Sequence, residues 1–427
     1  MLTLLSVAAA GLIGLAPPAS AAHPSDAVSE SQSANREVTG VSTDAKAGTW
    51  STATIAGMNV RLYVPTSEPA AGTGRALMVN LHGCAQNSAD LQEHGNWAAS
   101  AEAHGMIVAL PDAPDGGVIM GCWDYYDSGH SRTSPSRHDD NLLDLVAELK
   151  GDADLAIDAN QVYISGLSSG AGQAMVMGCL APDVFAGIGI SAGTTVGTTS
   201  LQIGRVAVSQ AQGAATCTSF AGDAEASFGT QLTSVVYGSA DYTVAQGYGR
   251  LNGAIMAELY GAGTQAEFSL SELAGQNTNG TGVQYSDDSG PRVSVISNTG
   301  LGHAWPAGTG AGGAYISSNS IDYPAYLTSF FFENNRRIER EDAPPGGDPS
   351  PSPDPDPQPD PDPVGECVTA SNAEHQAAGR AVSYGADPHN PYYAIGTRAY
   401  MGQGDATVTS LERQSPESYA LVSDCAD

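Results

Sequence analysis

The run Val162-Tyr163-Ile164-Ser165 leads into Gly166-Leu167-Ser168-Ser169-Gly170, and the small, helix-compatible stretch Ala171-Gly172-Gln173-Ala174-Met175-Val176-Met177 follows. A strand that turns through Gly-x-Ser-x-Gly into a helix is a nucleophile elbow, and it constrains this chain more than any other segment. The turn is so tight that a Cβ two residues before or after the serine meets neighbouring backbone, which accounts for both glycines. The serine itself is held in a strained conformation with its Oγ exposed, ready to attack an acyl carbon. The next residue opens a helix, whose partial positive charge and free N–H groups favour a developing oxyanion. In a chain with 51 glycines the pattern alone is also compatible with an ordinary turn, so its surroundings decide its meaning.

Those surroundings alternate strand and helix. Thr52–Ile55 and Met58–Pro65 read as a hairpin with Gly57 in the turn. Ala76–Leu81 and Met106–Pro111 are buried apolar strands, Trp97–His104 reads as helix, and Asp139–Lys150 carries Leu142, Leu143, Leu145, Val146 and Leu149 at helical spacing. Continuous apolar strands alternating with helices predict a mainly parallel sheet covered on both faces, an α/β class. With the elbow, the expected architecture is the α/β-hydrolase fold over residues 49–340.

At 427 residues, with 15% charged and 41% hydrophobic side chains, the chain can bury a full core and still carry a second, small module. An apolar stretch ending in Ala19-Ser20-Ala21 predicts a secretory signal over residues 1–21, although no Lys or Arg precedes it. It is broken by glycine and proline and falls short of the ~20 apolar residues a membrane span needs. Residues 22–48 read as a disordered leader or propeptide. At 341–365 a Pro/Asp-rich run predicts a semi-rigid spacer, roughly 60–70 Å long if fully extended at 3.1 Å per residue. Residues 366–427 then form a compact, cysteine-closed unit.

Six cysteines in an exported chain predict disulfides, and their positions suggest Cys84–Cys122, Cys179–Cys217 and Cys367–Cys425. No spacing of Cys or His suits a metal, and none is expected, nor is a cofactor. The formal net charge of −30 makes nucleic acid and anionic membranes poor partners.

A nucleophilic serine needs a base, and the base an orienting acid. In this architecture they follow in the order Ser, Asp, His, each on a loop after a strand. Leu232–Tyr237 is such a strand and Asp241 sits in the loop at its end; Asp223 and Asp287 lack that context. Arg292–Ile296 is another, followed by His303 in a glycine-flanked loop, a setting that His94, His104, His130 and His138 do not share. Ser168, Asp241 and His303 are therefore the expected triad. The backbone N–H groups of Cys84 and Ser169 are the expected oxyanion donors, because His82-Gly83-Cys84 follows the strand that supplies the other half of such a hole.

His82-Gly83-Cys84, Gly121-Cys122-Trp123-Asp124, Gly166-Leu167-Ser168-Ser169-Gly170, Gly238-Ser239-Ala240-Asp241 and Gly302-His303-Ala304-Trp305-Pro306 stand in that order. Over roughly residues 50–335 they resemble the extracellular polyhydroxybutyrate depolymerases, in the arrangement of the type 1 catalytic domain, and their esterase relatives. The resemblance implies a secreted serine esterase acting on an insoluble polyester, and a monomer is expected. Trp123 and Trp305 would either line subsites for the polymer or pack in the core. Residues 366–427 look like the substrate-binding module of these enzymes, in which His375 and Arg380 would either touch polymer or satisfy the module's own backbone. Two other readings stay open: a feruloyl or acetyl-xylan type esterase, or hydrolase of another polymer, since fold does not choose substrate; and a non-catalytic polymer-binding protein.

Overall fold

A computed structural model of the chain describes residues 48–126, 129–132, 138–338, 365, 367–383, 390–397, 399–415 and 418–425. The expected signal, nearly all of the leader and nearly all of the Pro/Asp spacer lie outside the described residues.

The first part of the chain builds one sheet from β1 (Thr49–Ile55), β2 (Met58–Val64), β3 (Arg75–Leu81), β4 (Ile107–Pro111), β5 (Ile157–Leu167), β6 (Gly187–Ser191), β7 (Leu232–Gly238), β8 (Thr264–Ser269), β9 (Gly280–Asp287) and β10 (Gly290–Asn298). Its order is β1-β2-β4-β3-β5-β6-β7-β10-β9-β8. The block β4-β3-β5-β6-β7-β10 is parallel, and antiparallel pairs close it on both sides. Alternate residues of each central strand enter opposite cores, as a period of two requires. On β5, Val162 and Ile164 join one core while Tyr163 joins the other.

Helices cover both faces. On the first lie α3 (Asp139–Gly151), α4 (Ser169–Leu180), α5 (Gln210–Ala221) and α6 (Gly247–Tyr260); on the second lie α1 (Ser88–His94), α2 (Trp97–His104) and α7 (Tyr323–Asn334). The expected spacing on α3 is its packing stripe: Leu142, Leu145, Val146 and Leu149 are buried, and Leu143 is only partly so. Helix α4 is buried along its whole length, and its small residues let it lie directly on the sheet. A Cβ at Gly178 would stand 2.6 Å from Ile188 of β6. The sheet, its parallel block and the two helical layers are those of the α/β-hydrolase fold.

A charged cluster locks the far side of this sheet. Arg292 is 1% exposed, and it donates to Asp287 Oδ2 at 2.8 Å and to the carbonyls of Phe228 and Gln231 at 2.8 and 2.9 Å. Arg336 grips the same carboxylate with both terminal nitrogens, at 2.7 and 2.6 Å. The Arg336 hydrogen bonds, with those of Arg292, hold the Asp287 carboxyl well below the usual carboxylate range. A depressed folded-state pKa stabilises above the unfolded value near ~3.9 and loses that contribution as pH falls toward the folded one. Asp287→Asn leaves a buried cation without its partner and is expected to cost about 3 kcal/mol at neutral pH, with the deficit shrinking in acid. Denaturant midpoints measured from neutral to acid pH test this; equal midpoints for parent and variant at neutral pH rule it out.

Beyond the sheet, β11 (Trp305–Pro306) and β12 (Ile316–Ser317) form a short parallel pair. The C-terminal module comprises β13 (Cys367–Ser371), α8 (Asn372–Ala377), β14 (Ala381–Ser383), β15 (Pro391–Ala394), β16 (Tyr400–Gln403), β17 (Val408–Ser415) and β18 (Ser418–Val422). Two three-stranded sheets, β13-β17-β18 and β14-β15-β16, enclose a small core that includes Tyr392, Met401, Leu411 and Tyr419.

Candidate active site

Strand β5 ends at Leu167 and α4 begins at Ser169, leaving Ser168 alone in the turn at φ +56°, ψ −115°. That strained backbone is held by close packing: a Cβ on Gly166 would lie 2.4 Å from the carbonyl carbon of Gly170, and one on Gly170 2.5 Å from the carbonyl oxygens of Leu81 and His82. The Ser168 N–H donates to Ser191 O on β6 at 2.9 Å, fixing the elbow to its neighbour strand.

Asp241 follows β7 and His303 follows β10, so both reach the same edge of the sheet as the elbow. Their loops are joined by backbone: Ala240 N–H donates to Leu301 O at 2.9 Å, and Gly300 N–H to Ser239 Oγ at 2.9 Å. His303 Nε2 stands 2.9 Å from Ser168 Oγ, and its Nδ1 2.8 Å from Asp241 Oδ2. A carboxylate only accepts, so Nδ1 carries the proton and Nε2 is free to take the one on Ser168 Oγ. The other carboxylate oxygen accepts from the N–H groups of Thr243 at 2.8 Å and Val244 at 3.0 Å, which fixes its aim. Asp241 is almost wholly buried and His303 nearly so, so the relay is shielded from water.

Cys84, Ser168 and Ser169 line one cavity together with Cys122, Tyr125 and Thr194. The cysteines pair as Cys84–Cys122, Cys179–Cys217 and Cys367–Cys425, and the first bridge braces the loop that carries Cys84. Two further residues shape that loop: His82, which the sequence marks only as the start of its motif, and Gln86, which no motif contains. His82 is buried; its Nδ1 donates to Gly83 O at 2.8 Å and its Nε2 accepts from Ala113 N–H at 3.1 Å, while burial pushes its pKa below the ordinary histidine value. Gln86 accepts from Gly83 N–H at 2.8 Å and donates to Ala314 O at 2.6 Å. It thereby ties the Cys84 loop to the β11–β12 loop, which comes just after the loop that carries His303. No local motif announces such a contact, because its two ends are far apart in the chain. Gln86→Leu is expected to lower kcat on a soluble ester roughly 10- to 100-fold with little change in KM, the scale of a misplaced catalytic group. Gln86→Glu keeps the acceptor for Gly83 and should lose less; steady-state kinetics showing both variants equal to the parent would remove Gln86 from the site.

Trp123 and Trp305 do not line an open subsite. Both indoles are fully buried, and Trp305 donates from Nε1 to Gly95 O at 3.1 Å while packing on Trp97 and Tyr323. Core packing, the other reading of the two tryptophans, is where they stand. In the module, His375 is likewise buried; its Nε2 bonds to Thr409 O at 3.0 Å, and its Nδ1 accepts from Arg380 Nε at 3.1 Å. His375 therefore supports the module's interior and presents no ring to a polymer, and half-buried Arg380 is bonded to it. Among the described residues, no cluster of His, Cys, Asp or Glu is placed to hold a metal ion, and no helix is long and apolar enough to cross a membrane.

The fold is that of the α/β-hydrolases, and the strained serine with the Ser168–His303–Asp241 relay has the geometry that acyl transfer by a serine nucleophile requires. Residues 58–267 match the family model described as Esterase PHB depolymerase. The chain is 39% identical over 315 residues to the poly(3-hydroxybutyrate) depolymerase of Ralstonia pickettii, an alignment covering 71% of this chain and 63% of that protein. It is 28% identical over 288 residues to poly(3-hydroxyalkanoate) depolymerase C of Paucimonas lemoignei, covering 63% and 65%. The chain thus spans just under two thirds of the length of either relative. Among solved structures, an acetyl xylan esterase from Aspergillus awamori superposes with a TM-score of 0.48 at 18% identity, covering 60% of this chain and 94% of that one.

Proposed function

We propose that this chain is a secreted serine esterase that hydrolyses the ester bonds of poly(3-hydroxybutyrate) or a similar polyester. The observation that carries the reading is the relay of 2.9 and 2.8 Å hydrogen bonds from Ser168 through His303 to Asp241. Ser168 Oγ attacks the ester carbonyl as its proton passes to His303 Nε2, forming a tetrahedral intermediate. The backbone N–H groups of Cys84 and Ser169 receive the negative charge on the former carbonyl oxygen. His303 then protonates the departing alkoxide, leaving an acyl-Ser168 ester. A water, deprotonated by His303, attacks that ester; the second tetrahedral intermediate expels Ser168 Oγ, which regains its proton. Asp241 holds the Nδ1–H tautomer and offsets the imidazolium charge throughout. No step requires a cofactor.

Residues 366–427 are proposed as the polymer-holding module, the Pro/Asp run 341–365 as its spacer, and residues 1–21 as the export signal. Three disulfides suit an oxidising, extracellular compartment. With His375 buried, the module's candidate polymer-facing residues become Tyr400, Val408 and Leu421, which are exposed on β16, β17 and β18. The protein is proposed to act as a monomer.

Clearing of a poly(3-hydroxybutyrate) suspension with release of 3-hydroxybutyrate oligomers tests the reading. Release of ferulate or acetate from xylan esters, with no oligomers from the polyester, would assign the same relay to a carbohydrate esterase instead.

A further inference from the structure

Seven large apolar side chains in residues 48–338 are exposed among the described residues: Val118, Ile119, Met120, Leu201, Val206, Tyr242 and Tyr315. Single exposed apolar residues are ordinary on any protein and need no explanation. Their placement here is not scattered. Val118, Ile119 and Met120 follow β4, Leu201 and Val206 follow β6, Tyr242 follows β7, and Tyr315 follows β10. All four strands belong to the parallel block, so all seven residues stand on loops leaving its C-terminal edge. None lies on a covering helix or at the opposite edge of that block.

Each of these loops also carries part of the site. The turn holding Ile119 and Met120 is closed by Cys122 N–H to Ile119 O at 2.9 Å, while Ala85 N–H donates to Met120 O at 2.7 Å, so it leans on the Cys84 loop. Leu201, 93% exposed, stands between Ser200 and Ile203, which line the same cavity as Ser168. Tyr242, also 93% exposed, is next to Asp241, and the Tyr315 ring lies 6.2 Å from that of His303, edge to face.

We infer that these loops form an apolar rim around the catalytic cleft, and that the rim seats the esterase domain on the uncharged surface of a solid polyester, separately from any hold by the C-terminal module. This inference rests on the polyester reading above and deepens it. Burying these side chains against an apolar surface is favourable in proportion to the apolar area removed from water. The rim's continuity with the cleft that carries Ser168 makes the occupant the material presented to the serine. The net charge of −30 repels anionic lipid and other copies of the chain, whereas a neutral polyester carries no charge to repel it.

The test uses the full-length chain carrying Ser168→Ala, so that adsorption to a poly(3-hydroxybutyrate) film is read without erosion of the film. Adding Ile119→Ser, Met120→Gln and Leu201→Gln is expected to weaken film partitioning at least tenfold. In the chain with Ser168 intact, the same three changes should depress film hydrolysis to a like extent and leave kcat/KM on a soluble short-chain ester within about twofold. Leu201→Gln alone, at a position open to solvent, serves if the triple variant melts early, and should weaken partitioning severalfold. Unchanged film partitioning in variants that fold overturns the rim, since adsorption would then belong to the module alone. An equal loss on soluble ester and film overturns it too, because the substitutions would be acting on chemistry. Binding of the unsubstituted rim to phosphatidylcholine vesicles as tight as to film, or a dimer abolished by the triple variant, reassigns the surface and overturns the polyester occupant. Failure of the function itself reads differently: the Ser168 chain would adsorb through its rim yet release no 3-hydroxybutyrate oligomers.

Discussion

Ser168→Ala is expected to lower kcat on a soluble short-chain ester by at least about 10⁴-fold, and His303→Ala by a comparable factor. The reason is geometric. With Ser168 Oγ 2.9 Å from His303 Nε2, neither group performs the acyl transfer without the other. The double variant should therefore be no worse than either single one, because groups that act as a unit are grossly non-additive. Asp241→Asn should fall by about 10⁴-fold as well, since a carboxamide facing Nδ1 favours the wrong imidazole tautomer. All four variants should keep the parent's melting profile and film adsorption. Losses that multiply in the Ser168/His303 double variant, or a Ser168→Ala protein that still forms a phosphonate adduct at its site, would remove this serine as nucleophile.

Replacing Cys367 and Cys425 together by serine is expected to unfold the C-terminal module at ambient temperature. The bridge closes a loop of 58 residues, for which the chain-entropy relation gives about 4 kcal/mol. The module's buried core is small, and units of this size seldom hold more than about 3–5 kcal/mol without a covalent staple. Removing the bridge therefore takes away most of what is there. Hydrogen exchange on the full chain should show amides of residues 367–425 losing protection while those of β3, β5 and β6 keep theirs. Soluble-ester turnover should persist and film hydrolysis should drop. A module equally protected with and without the bridge would show that its small core suffices.

The elbow, the Asp241 and His303 loops and the hairpin at Gly57 were legible because each rests on local patterning: period-two or continuous apolar strands ending at glycine-rich turns. Strand β6 was not. Its sequence Gly-Ile-Gly-Ile-Ser looks like a turn, and the reason lies in a partner far along the chain. A Cβ at Gly187 would stand 2.7 Å from Phe331 and one at Gly189 2.7 Å from Leu327, both on α7. The glycines record a helix pressed against the strand, which no local window contains. The same holds for Gln86, which meets Ala314, and for Asp287, which sequence context set aside as an acid catalyst and which instead pairs with Arg292 and Arg336. The two buried tryptophans err in the other direction: their nearness in sequence to site residues suggested a role that burial denies.

The packing around the elbow also limits how this chain can vary. A side chain at Gly166 would collide with the backbone of Gly170 and Ala171, and one at Gly170 with the backbone of Leu81 and His82. Main-chain atoms are common to every sequence, so no second substitution can trim them away. At Gly172 the obstruction is the ring of Tyr125, 2.7 Å from the would-be Cβ, and a smaller residue at 125 would clear it. In a library selected for activity, suppressor pairs can arise at position 172 with 125. Positions 166 and 170 have no such escape, and lineages descending from this chain must keep glycine there or abandon the serine between them.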